Sequence, residues 1–263
     1  MSDSSGKKWA LILGGSRGLG LATAKKLAKH NYAICIIHRD RRSEMEAIEE
    51  HFGEIKNDAA NFCSFNADAV NQEKRAEIIS QLRNSFQEND TVKLLIHSIA
   101  KGSLKPMGAN RGESLSTEDF EITFRAMALS LYDWVQSLIS AELTDPDMRV
   151  ISFTSEGNTR AMPGYAAVSV AKVALEAITR SMAVEFAALG IKANCIQAGV
   201  TETSSFAMIP NSDKIRDNAI KRNPSGRITS PEDVANTVYM LSLDEAKWIT
   251  GSIIKADGGE SLR

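Results

Sequence analysis

Seven short runs rich in apolar and branched residues recur along the chain, separated by longer stretches of helical periodicity, and this alternation limits the possible folds most severely. The runs are WALILGG, YAICIIH, NFCSFNAD, VKLLIHSI, MRVISFTS, IKANCIQAG and SIIKADGG. Strands that alternate with helices predict βαβ units and a parallel sheet. Helical patterns include GLATAKKLAKH, EKRAEIISQLRNSF, a long one from Thr117 to Ala141, and AKVALEAITRSMAVEFAAL. A further helix opens at Ser230-Pro231-Glu232-Asp233, where a capping serine, a proline at the first helical position and first-turn acids coincide. No Pro/Gly/Ser linker interrupts the series, so residues 1–263 are expected to form a single α/β domain. Two long irregular stretches, Ala100–Ser116 and 200–223, each follow a strand. Loops at the carboxyl ends of strands form the ligand crevice of an open sheet, which makes 200–223 a candidate substrate-binding lid.

The formal net charge of −2 gives no electrostatic case for nucleic acid or for an anionic membrane. The polar start MSDSSGKKW lacks the apolar core of a signal peptide. No apolar run reaches the roughly 18 residues of a spanning helix, so a cytoplasmic protein is expected. Cys35, Cys63 and Cys195 sit singly in strand-like runs without metal-ligand spacing and read as reduced core thiols. No metal site is expected.

LILGGSRGLGLATA sets Gly14, Ser16, Arg17, Gly18, Leu19 and Gly20 between the first strand and the first helix. Glycine belongs where the backbone turns tightly and a diphosphate must approach a helix N-terminus closely. The position therefore suggests a dinucleotide and a Rossmann-type, doubly wound sheet of seven parallel strands with helices on both faces. An NAD-selective site wants an acid at the end of the second strand; here His38 and Arg39 stand there, within HRDRR. Arg17 and Arg39 suit a 2′-phosphate, hence NADPH rather than NADH. Two other readings stand beside it: HRDRR as a solvated helix start, and Asp40 serving a 2′-hydroxyl if the strand runs two residues further.

Tyr165 and Lys172 lie seven apart in YAAVSVAK. Seven residues return almost to the same helix face, as four do, but with about 10.5 Å of rise instead of about 6 Å. Together with the glycine turn, Ser155, AGVTET and DGG, the pair resembles the short-chain dehydrogenase/reductase family over essentially the whole chain. The main branch of that family has its tyrosine four before the lysine, a place held here by Val168; Met127 stands where it has an asparagine. The wider spacing, and His97-Ser98-Ile99-Ala100 after the fourth strand, resemble its enoyl-acyl-carrier-protein reductase branch.

The resemblance implies conjugate reduction of an enoyl thioester in fatty acid synthesis, by a homotetramer acting on substrate carried by acyl carrier protein. In a conjugate reduction, charge develops on an oxygen two bonds beyond the carbon that takes the hydride, which suits an acid displaced along the site. Tyr165 would stabilise the enolate, and Lys172 would hold the nicotinamide ribose and lower the tyrosine pKa. Asp68 and Ala69 would meet the adenine; Ser98, Ile99 and Ala100 would run along the nicotinamide. Gly199, Val200, Thr201 and Thr203 would meet the nicotinamide amide and diphosphate, although Thr203 would also serve as a helix cap. Ser155 matches both the main-branch catalytic serine and the place of a second tyrosine in many enoyl reductases.

Ala100, Tyr165, Phe206, Met208 and Ile209 are the substrate-side candidates; the apolar run Phe206–Ile209 reads equally as an acyl groove or as lid packing. Lys214, Arg216, Lys221 and Arg222 read as a carrier-protein dock or, better, as a solvated helix face. Rival functions are a carbonyl reductase using Ser155 and a non-catalytic NADP(H) sensor.

Overall fold

All seven apolar runs form strands: β1 (Lys8–Leu13), β2 (Ala33–His38), β3 (Asn61–Asn66), β4 (Thr91–His97), β5 (Thr144–Ser155), β6 (Lys192–Ala198) and β7 (Ile253–Ala256). The computed structural model describes residues 6–108, 113–209 and 211–263, so parts of both long loops, 109–112 and Pro210, lie outside the described residues. Every strand pair is parallel, in the order β3-β2-β1-β4-β5-β6-β7. The helices are α1 (Gly18–Ala28), α2 (Met45–Asp58), α3 (Gln72–Ser85), α4 (Thr117–Phe124), α5 (Ser130–Ser140), α6 (Ala166–Glu185), α7 (Ser204–Ala207), α8 (Ser212–Arg222) and α9 (Pro231–Ser242). The result is the doubly wound Rossmann-type sheet expected from the alternation of runs.

The two-residue period of a strand sorts the core into two layers. In β1, Trp9, Leu11 and Leu13 pack beneath α3, α5 and α6 with Ile78, Trp134 and Leu175. Ala10 and Ile12 face the other way, toward α1, α2 and α9 with Leu27, Phe52 and Val238. Burial on both faces explains why the strands read as continuous apolar runs instead of alternating ones. Chain order reverses at β1, whose neighbours are β2 and β4, and this switch point opens a crevice at the strands' carboxyl ends. Ser230 caps α9 by accepting from Asp233 N, with Pro231 in the first turn, as its sequence predicts.

The long helix expected over Thr117–Ala141 runs from Thr117 to Ser140 with one irregularity. Between α4 and α5, residues Arg125–Leu129 widen into a π turn. The wider turn serves two packing fronts: Ala128 joins the core under the sheet, while Ala126 and Met127 pack on Val168 and Ala171 of α6. Cys35 and Cys195 are buried and Cys63 is partly buried, all three as free thiols; Cys35 and Cys63 are direct cross-strand partners.

Candidate active site

One cavity of about 820 Å³ runs along the carboxyl ends of the strands. Its first wall is the turn between β1 and α1. Gly14 has φ +84°, and a methyl group there would sit 2.5 Å from Ser98 O, so only glycine fits between β1 and β4. Ser16, Arg17, Gly18 and Leu19 line the cavity. Gly20 does not; a side chain on it would strike Gly14 O, so it serves close packing of α1 on the turn. No side chain caps the N-terminus of α1, which leaves backbone N–H groups and the positive end of the helix dipole for an anion.

At the end of β2, His38 and Arg39 line the cavity and Asp40 does not. The strand stops at His38, and the Asp40 carboxylate bonds His38 Nδ1 at 2.8 Å and Arg17 at 3.2 Å. Arg17 also meets Glu44 at 2.9 Å. Arg39 pairs with Asp68 at 2.9 Å, and Lys101 comes within 3.6 Å of the same carboxylate. Burial, the largest single effect, pushes the Asp68 pKa up, but the Val70 N–H and the Lys101 and Arg39 cations together outweigh it and leave the carboxyl below its usual pKa. Asp68, Ala69, Ser98, Ile99 and Ala100 all line the cavity, as do Gly199, Val200, Thr201 and Thr203. Arg17 and Arg39 are exposed cations of this end, held by ion pairs of small net value.

The chemical groups lie where β5 ends and α6 begins. Tyr165 sits at the N-cap of α6, its hydroxyl 3.4 Å from Ser155 Oγ. A methyl group on Gly157 would lie 2.5 Å from Tyr165 Cε1, so the ring rests directly on that backbone. Burial pushes the Tyr165 phenol above its ordinary pKa, with the Ser155 contact opposing. The lowered tyrosine pKa implied by the resemblance is not what these contacts produce.

Lys172 is buried, does not line the cavity, and donates from Nζ to Phe153 O at 2.6 Å. Desolvation brings its pKa down to about 8, partly offset by the neighbouring Cys195 and Glu176. That depression corresponds to about 3 kcal/mol. His97, at the end of β4, bonds Ser130 Oγ through Nε2 at 2.8 Å, while its Nδ1 is buried without a partner. Burial first, and Lys172 second, lower its pKa to about 3, so the ring is neutral.

Val168 and Met127 line the cavity beside Tyr165 as an apolar wall with Leu104. Gly102 presses on this wall: a methyl group there would lie 2.8 Å from Val168 Cγ2 and 3.0 Å from Met127 Sδ.

The 200–223 segment closes the cavity with α7 and α8. Thr203 caps α7, accepting from Phe206 N at 3.2 Å, and also lines the cavity. Phe206, Met208 and Ile209 line the wall opposite Met162 and Pro163. Arg222, read as part of a basic rim, instead turns inward; it bonds Glu156 at 2.5 Å and the Glu260 carbonyl at 3.0 Å. Lys214, Arg216 and Lys221 stay exposed. Glu156, Arg160, Lys101 and Leu104 are wall residues that carried no signal in the sequence, because each reaches the cavity from a loop. Among the described residues no group of three or more His, Cys, Asp or Glu is placed to hold a metal.

A glycine turn at the head of a doubly wound sheet, with a Tyr–Ser contact and a buried lysine at the ends of β5 and α6, defines a short-chain dehydrogenase/reductase. The family model described as Enoyl-(Acyl carrier protein) reductase matches residues 14–261, and the chain belongs to this family of oxidoreductases. It is 29% identical over 261 residues to the uncharacterized oxidoreductase YjdA of Bacillus subtilis (strain 168), covering 98% of each chain. It is 25% identical over 254 residues to the 3-oxoacyl-(acyl-carrier-protein) reductase FabG of Staphylococcus epidermidis, covering 96% of this chain and 98% of that one. The crystal structure of enoyl-(acyl-carrier-protein) reductase (NADH) from Aquifex aeolicus VF5 superposes with a TM-score of 0.80 at 22% identity, over 97% of each chain.

Proposed function

We propose that the protein reduces the carbon–carbon double bond of a trans-2-enoyl thioester with NADPH. The observation that carries this reading is the pairing of Tyr165 with an apolar neighbour. The site's phenol stands at the head of α6, and the nearer position on the helix is Val168, which has no proton to give.

The turn fits a dinucleotide: Gly14 leaves no room for a side chain, and the uncapped end of α1 offers N–H groups to a diphosphate. Ser16, Arg17, Gly18 and Leu19 would hold the diphosphate side, and Asp68 and Ala69 the adenine. Arg17 and Arg39 would take the 2′-phosphate, since Asp40 is turned away to His38. Ser98, Ile99, Ala100, Gly199, Val200, Thr201 and Thr203 would flank the nicotinamide half, with Lys172 turning from Phe153 O to the ribose. When bound, the nicotinamide supplies the hydride that the β-carbon takes up.

The residues of this chain do the rest. Tyr165, kept protonated by burial, donates to the thioester oxygen where enolate charge develops, and Ser155 orients the phenol. Phe206, Met208 and Ile209 would receive the acyl chain and exclude water. Lys214, Arg216 and Lys221 offer exposed positive charge to an acidic carrier protein.

A second reading, reduction of a 3-ketoacyl thioester, is favoured by the Ser155–Tyr165 contact and by the similarity to the Staphylococcus epidermidis enzyme. Initial rates of NADPH oxidation with crotonyl and acetoacetyl thioesters separate the two. Turnover of the enoyl ester, lost by about a hundredfold in Tyr165→Phe with NADPH affinity kept, is the expected result. Turnover of the ketoester alone overturns the proposal.

A further inference from the structure

Glu176 lies one helical turn beyond Lys172 on α6, and none of the chemistry above uses it. Its side chain is buried. Oε1 accepts from Thr154 Oγ1 at 2.5 Å and from Asn158 Nδ2. Thr154 precedes Ser155, and Asn158 follows it in the next turn, so one carboxylate grips the chain on both sides of the serine. Ser169, on the same helix, donates to Gly157 O at 2.6 Å, and Gly157 is the surface on which the Tyr165 ring rests.

A carboxylate taken out of water needs more than two neutral donors to offset its desolvation, and a buried ammonium needs a countercharge. The titratable groups facing Lys172 are Glu176 from its own helix, Cys195 from β6 and His97 from β4. His97 is neutral, and burial pushes the Cys195 thiol up. Glu176 is the one carboxylate among the three.

We propose that Glu176 is a positioning residue for this site: it fastens the Ser155 turn to α6 and supplies the negative charge that keeps Lys172 protonated. The proposal rests on the reading above only in taking Lys172 as a working group of the site.

The test needs no substrate. Between about pH 8 and the ordinary lysine range the unfolded chain binds a proton at Lys172 that the folded chain does not, so stability rises with pH across that window. Urea unfolding of the full chain, followed from pH 6 to 10.5, reads the onset of this rise. In Glu176→Gln the lost countercharge lowers the Lys172 pKa further, and the onset moves down by about one pH unit. Glu176→Asp keeps the charge and the wild-type onset. In a Lys172→Met background the rise is gone, and adding Glu176→Gln moves nothing.

An unshifted onset in Glu176→Gln, or an equal shift without Lys172, overturns the proposal. If Glu176→Gln does not fold, Thr154→Val probes the same link: with one donor fewer, the carboxylate holds the lysine proton more tightly and the onset moves up. No movement there overturns it too. A protein that fails to reduce enoyl thioesters yet shows these shifts loses the proposed reaction and keeps the role of Glu176.

Discussion

Tyr165 works from a fixed socket, and the socket is made of backbone. Because its ring lies on Gly157, Gly157→Ala must push the phenol away from Ser155 or shift the turn. Overpacking of this kind costs about 1–3 kcal/mol, read as a lower urea midpoint, and turnover should fall with it while NADPH affinity holds. The arginines make a separate prediction. Arg39→Ala should weaken NADPH binding at least about tenfold and leave NADH unchanged, as titrations of nicotinamide fluorescence would show; equal losses for both would remove the 2′-phosphate assignment.

The fold sets Tyr165 beside Ser155, with Lys172 buried on the same helix as the tyrosine, and all three were legible through the family resemblance. The fate of Asp40 was not: whether it faces ligand or His38 depends on the strand stopping two residues short of it. Glu176 was also invisible, since KVALEA reads as an ordinary helix until Thr154 and Asn158 arrive from another element.

At the scale of elements, the strands' existence was readable from apolar runs, because central strands buried on both faces contain little else; the start of β5 at Thr144 was not, since TDPD before the run MRVISFTS is polar. The π turn was not, since Arg125–Leu129 carries good helix formers and the widening answers tertiary packing against α6. Next to this turn, β4 delivers His97 into the core, tied to Ser130 with its other nitrogen unpartnered. Its folded pKa of about 3 lies below the ordinary value of 6.5, so between those limits only the unfolded chain takes up the proton. Stability contributed by the neutral ring is complete above about pH 6.5 and drains away as pH falls toward 3. His97→Asn should therefore flatten the dependence of the urea midpoint on pH between 7 and 4, and an unchanged slope would place the acid sensitivity elsewhere.

At the scale of the whole molecule, two neighbouring elements leave apolar stripes uncovered. Ile122, Leu129 and Tyr132 lie along α4–α5, and Val170, Val173 and Val184 along α6. Trp248, Met240 and Leu262 are exposed as well. Exposed apolar surface is where subunit contacts would form in the homotetramer that the family resemblance implies. Val170→Glu combined with Val173→Glu should halve the assembly in light scattering while leaving each subunit folded; a wild type that runs as a monomer would end that assignment.

The apolar wall has a consequence for how such a chain could change its reaction over generations. Gly102 and Met127 already crowd Val168, since a methyl group on Gly102 would lie 2.8 Å from Val168 Cγ2, so a phenol at position 168 must displace them or leave the wall. Moving the acid along this helix therefore involves the loop after β4 and the π turn as well as α6.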